Sequence, residues 1–183
     1  MNINLKDKIK KDNYRYYGKE NLSIKESKDN RLKILRAYRK ANFYKNRKVI
    51  KYIFFYNLKR ISDKYLIQIP YRCEIGEGFY IGHLGNIIIN PNTVIGKNVN
   101  IANGVCIGQE NRGKRKGTPI IGNRVWIGAN AVIVGKIKIG DNVLIAPNSY
   151  INFDVPDNSI VIGNPGRIIY NDKATENYIN NQI

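Results

Sequence analysis

The sequence predicts a parallel β-solenoid of triangular cross-section behind a short helical region. Three observations predict it. Isoleucine recurs on a six-residue beat at positions 69, 75, 81, 89, 95, 101, 107, 121, 127, 133, 139, 145 and 151. Glycine follows many of them, at Gly76, Gly82, Gly96, Gly108, Gly122, Gly128 and Gly140. Four residues after the isoleucine stands a further apolar or small residue: Cys73, Val99, Val105, Val125, Ala131, Val143 or Ser149. A helix needs a period of 3.6 and an ordinary half-buried strand a period of two, and neither carries a beat of six. One short strand and one turn on each side of a prism does carry it. Three hexads then close a coil of about 18 residues, and coils stack at the ~4.8 Å spacing of paired strands with the aliphatic positions inside. The beat provides for about five coils.

The chain divides into a basic helical region over 1–65, the solenoid over 66–170 with an extended loop at 109–119, and a tail over 171–183. In the first region Leu32, Ile34, Leu35, Tyr38 and Phe43 fall at roughly helical spacing, and Val49, Ile50, Ile53, Phe54, Leu58 and Ile61 lie on one broad face. Two short helices are expected there.

Composition removes several function classes. Two cysteines and one histidine are too few for a disulfide framework or a zinc site, so no metal is expected. The first twenty residues are polar throughout, and no apolar run is long enough to span a bilayer, which points to a cytoplasmic protein. The net charge of +17 suits anionic partners, although a bias toward Lys, Asn, Ile and Tyr accounts for part of it. No zinc finger or aromatic stacking motif supports nucleic-acid binding. Residues 30–62 hold eleven Lys and Arg and no acid, with Tyr52, Phe54, Phe55 and Tyr56 among them. Such a stretch either packs with its charges solvated or rests on the inner face of an anionic membrane.

The beat slips twice. Two extra residues enter between Ile81 and Ile89, and eight enter between Ile107 and Ile121. A solenoid that interrupts its own repeat does so on a working face. His83, the only histidine of the chain, lies in the first interruption. Counting hexads stacks His83, Asn103, Ala129 and Pro147 in one column, with the basic loop expected beside it. Cys106 points outward by phase, and Trp126 reads as a packing residue.

The segments "IGEGFYIGHLGNIIINPNTVIGKNVNIANGVCIGQ", "PIIGNRVWIGANAVIVGKIKIGDNV" and "DVPDNSIVIGNPGRII" resemble the hexapeptide-repeat acyltransferases. They are most similar to the serine acetyltransferase-like branch, which includes O-acetyltransferases of capsule and exopolysaccharide sugars. The resemblance covers about residues 66–170. It implies a left-handed β-helix, a homotrimer with active sites at subunit interfaces, and acetyl-coenzyme A as cosubstrate. By the same resemblance Gly108, Gly128, Ala129, Ala146 and Pro147 floor the groove for the pantetheine arm. Lys114 and Arg167 would meet the phosphates, with the segment Gly163–Arg167 over the nucleotide end.

His83 matches the family's catalytic histidine. A hydroxyl is a weak nucleophile at neutral pH, and imidazole, with a pKa near ~6.5, suits the task of taking its proton. Backbone N–H groups at Gly108 and Gln109 are expected to stabilise the oxyanion. Four positions depart from true serine acetyltransferases. Gln68 stands where a carboxylate orients the histidine, Gly82 replaces the Asp before it, and Gly117 and Thr118 replace an Arg-His pair. The expected acceptor is therefore a sugar hydroxyl, met by Asn86, Asn103, Gln109 and Arg112. Serine O-acetylation is the alternative, and a scaffold without catalysis the third reading.

Overall fold

The structure, a computed structural model, describes residues 4–183. Four helices precede the strands: α1 (Leu5–Tyr17), α2 (Ile24–Ser27), α3 (Asn30–Phe43) and α4 (Ile50–Tyr65). The first coil of the solenoid holds β1 (Ile67–Gln68), β2 (Glu74–Ile75) and β3 (Tyr80–Ile81), and the second β4 (Ile87–Ile89), β5 (Val94–Ile95) and β6 (Asn100–Ile101). The third holds β7 (Cys106–Gly108), β8 (Ile120–Ile121) and β9 (Val125–Ile127), and the fourth β10 (Val132–Val134), β11 (Lys138–Ile139) and β12 (Val143–Ile145). The fifth holds β13 (Tyr150–Ile151), a bridge from Val155 to Ile139, and β14 (Ser159–Ile162). A last strand, β15 (Arg167–Tyr170), turns back antiparallel on β14.

The strands form the three sides of the prism: β1-β4-β7-β10-β13 (side A), β2-β5-β8-β11 (side B) and β3-β6-β9-β12-β14 (side C), with β15 at the end of side C. Apart from β15, pairing within each side is parallel and in register. On side C, Ile81, Ile101, Ile127 and Ile145 face one another in turn. All thirteen isoleucines of the beat are inside, none more than 4 % exposed. Each contributes on the order of 1.5–3 kcal/mol by leaving water. The glycines answer to the stacking. A Cβ on Gly76 would lie 2.5 Å from the Gly96 carbonyl oxygen, and one on Gly96 2.5 Å from that of Gly122.

The register also places the first slip. Ile67 pairs with Ile87 and Ile88 with Cys106, so both extra residues belong to the turn Gly82–Asn86.

The helical region caps the first coil through polar contacts. Asp12 and Arg39 are 2 % and 3 % exposed and form a two-pronged ion pair, Nε to Oδ2 at 2.8 Å and Nη2 to Oδ1 at 3.0 Å. Arg39 Nη2 also donates to the Gly76 carbonyl at 2.6 Å, and the Gly78 amide donates to Asp12 Oδ1 at 3.0 Å. Burial pushes the Asp12 carboxyl above its ordinary range, against the pull of Arg39. Tyr38 donates to the Cys73 carbonyl at 2.6 Å. At the other end, residues 171–183 run back along side C, where the Asn100 side chain donates to the Tyr178 carbonyl at 3.0 Å.

Two expectations for the helices need correction. The sequence pattern gives two helices, and the structure adds α1 and the single turn α2. The buried residues of α1 are Asp12, Asn13 and Arg15, so it carries no apolar stripe to read. The broad face expected on α4 is not buried as a unit. Leu58 is buried and Phe54, Phe55 and Ile61 pack against the core, while Val49, Ile50 and Ile53 stay exposed because α4 meets α3 and the first coil along one edge only. Phe43 is likewise half exposed. No helix among the described residues is long and apolar enough to cross a membrane.

Removing one partner of a buried pair leaves the other charge unpaired, at about 3–5 kcal/mol. Arg39→Ala should therefore lower the thermal midpoint by roughly 6–20 °C in a chain of this size. A calorimetric midpoint unchanged from the wild type would show that the cap does not depend on this pair.

Candidate active site

The turns from side C to side A repeat a three-residue pattern: Ala102-Asn103-Gly104, Gly128-Ala129-Asn130 and Ala146-Pro147-Asn148. Each ends on a residue of left-handed backbone, with φ of 74° at Gly104, 58° at Asn130 and 59° at Asn148. The turn between β3 and β4 ends the same way, at Asn86 with φ 48°, but is two residues longer. The added length throws His83 outward. Its side chain is exposed, and no hydrogen bond engages its ring among the described residues.

The turn is held at its root. The Gly82 amide donates to the Ile101 carbonyl at 2.8 Å, and Arg31 Nη1 donates to the Gly82 carbonyl at 3.2 Å. Arg31 comes from the first turn of α3. Asp29 fixes its guanidinium from behind, with Nη2 to Oδ2 at 2.6 Å, and its central carbon lies 5.2 Å and 5.7 Å from the ring centres of Tyr16 and Tyr80. Hydrogen bonding to Asp29 raises the Arg31 pKa further, so this cation persists at any working pH. A cavity of about 320 Å³ opens beside His83, lined by Arg31, Tyr80, Asn100, Ala102, Trp126 and Tyr178.

The column counted from the hexads exists from Asn103 onward, but its head is Gly85 and not His83: Gly104 N donates to the Gly85 carbonyl at 3.4 Å, because the two added residues displace His83 from the stack. Asn130 N donates to the Asn103 carbonyl at 3.1 Å and Asn148 N to the Ala129 carbonyl at 2.9 Å, which stacks these turns below the His83 turn. Asn103 and Pro147 are exposed and Ala129 and Ala146 partly so. Gly128 is obligatory for this packing, since a Cβ there would lie 2.6 Å from the Pro147 nitrogen. The segment Gly163–Arg167 closes the far end of the column, where Tyr150 N donates to the Gly163 carbonyl at 3.0 Å and Arg167 is exposed.

The loop is not beside that column, contrary to expectation. It leaves after β7 of side A and rejoins at β8 of side B, whereas His83 stands at the opposite end of side A. Four to five residues at strand rise separate the two corners, roughly 15 Å. The loop is ordered by its own contacts: Glu110 and Gly117 exchange backbone hydrogen bonds at 3.1 Å and 3.0 Å, and Asn90 Nδ2 donates to Gln109 Oε1 at 3.3 Å. Arg112 and Lys114 are exposed on it. Within one chain, therefore, Gly108, Gln109, Arg112 and Lys114 do not share a site with His83. Gln68 lies outward on side A, paired through β1 with Ile88, and makes no hydrogen bond to His83.

Hexad counting missed the cavity walls. Tyr80, Asn100 and Trp126 share one phase, the residue before the inward isoleucine, and that signal was available. Arg31 and Tyr178 come from outside the repeat, and no period announces them. Trp126 packs edge-on against Tyr178, with ring centres 5.0 Å apart.

Comparison with known proteins agrees with this architecture. Residues 118–152 match the family described as bacterial transferase hexapeptide (six repeats). The chain is 36% identical over 107 residues to a serine acetyltransferase of Helicobacter pylori strain ATCC 700392 / 26695, a match covering 58% of this chain and 63% of that one. It is 39% identical over 106 residues to a serine acetyltransferase of Staphylococcus aureus strain Mu50, covering 58% of this chain and 50% of the other. The matched part is thus less than two thirds of either relative. Among solved structures, the serine acetyltransferase of Neisseria gonorrhoeae in complex with serine superposes with a TM-score of 0.76 at 26% identity, over 90% of this chain and 69% of that one. The serine acetyltransferase of Brucella abortus strain S19 in complex with coenzyme A superposes with a TM-score of 0.76 at 25% identity, over 89% and 66%. With the in-register coils and the interrupted beat, these matches show that residues 118–152 carry the hexapeptide repeat of bacterial transferases and that the chain adopts the left-handed β-helix of the superposed structures.

Proposed function

We propose that the chain is an acetyl-coenzyme A-dependent O-acetyltransferase in which His83 is the general base. The observation that carries this is the position of the sole imidazole, thrown out by a lengthened turn at the head of the column, on a fold shared with a coenzyme A-bound acetyltransferase. In the reaction His83 takes the proton of the acceptor hydroxyl as its oxygen bonds to the thioester carbon. The C–S bond then breaks, and the proton passes to the departing thiolate. The pantetheine arm lies along the column of Ala129, Ala146 and Pro147, where small side chains leave backbone groups accessible. Gly108 and Gln109 reach a developing oxyanion only from a second copy of the chain, because their own His83 is a side of the prism away. That separation supports a homotrimer with composite sites. Gln68 is assigned the orienting role through its side-chain carbonyl, which accepts an imidazole N–H but adds no charge.

The comparisons favour serine as acceptor over the carbohydrate expected from the sequence, since the similar proteins are serine acetyltransferases. One observation of this chain supports the carbohydrate as a second reading. Gly82, Gly117 and Thr118 offer no charge to a zwitterion, and an unpaired charge in a closed site is costly. The cavity beside His83 presents the rings of Tyr80, Trp126 and Tyr178 and the Asn100 amide, and its one cation among the described residues, Arg31, is already paired with Asp29.

Three outcomes test the proposal. His83→Ala should lower turnover at least ~10²-fold while coenzyme A affinity stays near that of the wild type; near-normal turnover would remove His83 from the chemistry. Ala129→Trp should abolish coenzyme A binding in calorimetry with the circular dichroism spectrum unchanged, and undiminished binding would place the arm elsewhere. Thiol release from acetyl-coenzyme A should be fast, ~1–10³ s⁻¹, with the true acceptor. Release with L-serine at that rate selects the first reading, release only with oligosaccharides the second, and release with neither contradicts both.

A further inference from the structure

We infer that Arg15 is an oxyanion anchor, holding a carboxylate or phosphate of the acceptor in a cavity next to the one that contains His83. Its link to the acceptor rests on the acetyltransferase reading; the anion site itself does not.

Arg15 lies on the inner face of α1 and is 3 % exposed. A guanidinium carries five N–H donors in a planar fork. Here Nε donates to the Gly78 carbonyl at 3.1 Å and Nη2 to the Asn100 side-chain oxygen. The other three N–H groups find no acceptor among the described residues. No carboxylate among them pairs with Arg15 either. Of its acidic neighbours, Asp12 pairs with Arg39, and Glu77 pairs through Oε2 with Lys11 and Lys97 while its Oε1 has no partner among the described residues. A buried guanidinium without a carboxylate is costly; beyond its two hydrogen bonds Arg15 meets the Tyr80 ring, 5.5 Å from its central carbon, and a bound anion would supply the missing counter-charge. Burial accordingly depresses the Arg15 pKa, and only the rings of Tyr16 and Tyr80 act against it.

The open side of Arg15 faces a cavity of about 180 Å³ whose other walls include Tyr16, Tyr80, Asn100, Tyr178 and Asn181. None of these is acidic. A fork of N–H groups with amides around it matches the paired oxygens of a carboxylate or phosphate. Tyr80, Asn100 and Tyr178 line both this cavity and that of His83. An acceptor whose hydroxyl meets His83 can thus extend a charged group toward Arg15. The cation that Gly117 and Thr118 fail to provide comes instead from the N-terminal helix.

Trp126, the only tryptophan, packs on Tyr178 and reports on this region by its emission. The full chain is titrated with inorganic phosphate and, separately, with acetate, at ionic strength held constant with chloride. A saturable emission change is expected, with a rise in thermal midpoint. Arg15→Gln should weaken it more than ~10-fold, and Arg15→Lys, which keeps charge without the fork, to a lesser extent. Phosphate should inhibit turnover competitively against the acceptor and not against acetyl-coenzyme A. No saturable change in the wild type, an affinity unchanged in Arg15→Lys, or competition against acetyl-coenzyme A would each overturn the inference. The wild-type titration and the lysine variant decide it even if Arg15→Gln fails to fold. His83→Ala should keep the anion response, so loss of the acetyltransferase reading and loss of the anion site give different results.

Discussion

The molecule depends on one constraint: each strand pairs in parallel and in register with its equivalent one coil away. Because Ile81 faces Ile101, which faces Ile127 and then Ile145, every position of the hexad becomes a column along the prism. The inward column is isoleucine and carries the hydrophobic gain. The corner column is glycine where a Cβ would strike the next backbone, as at Gly76 and Gly96. The turn column from Ala129 to Pro147 is small and smooth for the same reason. Function enters where this rule is suspended. The turn Gly82–Asn86 has two residues too many for the stack, and the residue it expels is the only histidine.

A stack of parallel strands leaves an open edge at each end, and open edges invite unwanted pairing. The helical region covers the first, and Arg39 and Asp12 do so by occupying the carbonyl and amide groups of the corner at Gly76 and Gly78. At the other end β15 folds back on β14. The caps also serve the site. Arg31 of α3 steadies the carbonyl that precedes His83, Arg15 of α1 faces the adjoining cavity, and Tyr178 of the tail closes both. The site is therefore assembled by the solenoid and its coverings together.

What the sequence made legible follows from this division. Where burial is periodic the sequence is legible: thirteen isoleucines announce the prism, and the phase of Asn103, Ala129 and Pro147 gives the column, whereas the two inserted residues put Gly85 and not His83 above it. Where packing is polar or single, no pattern exists to read. α1 escaped because its inward residues are Asp12, Asn13 and Arg15. The face of α4 reads broader than it packs because apolar spacing marks a capacity to bury, and Val49, Ile50 and Ile53 stay exposed among the described residues. The loop was set at the wrong corner because the beat shows that residues were inserted after Gly108, while only strand order shows that Gly108 ends side A.

The central claim is that His83 is the base for acetyl transfer. The most direct measurement is kcat/KM for the acceptor as a function of pH, in the wild type and in His83→Gln. The account predicts a wild-type profile with an ascending limb that then levels, because only the neutral ring accepts a proton. The variant should lose that limb along with most of the rate. A wild-type profile that is flat from about pH 5 to 8, or a limb that survives in His83→Gln, would contradict it.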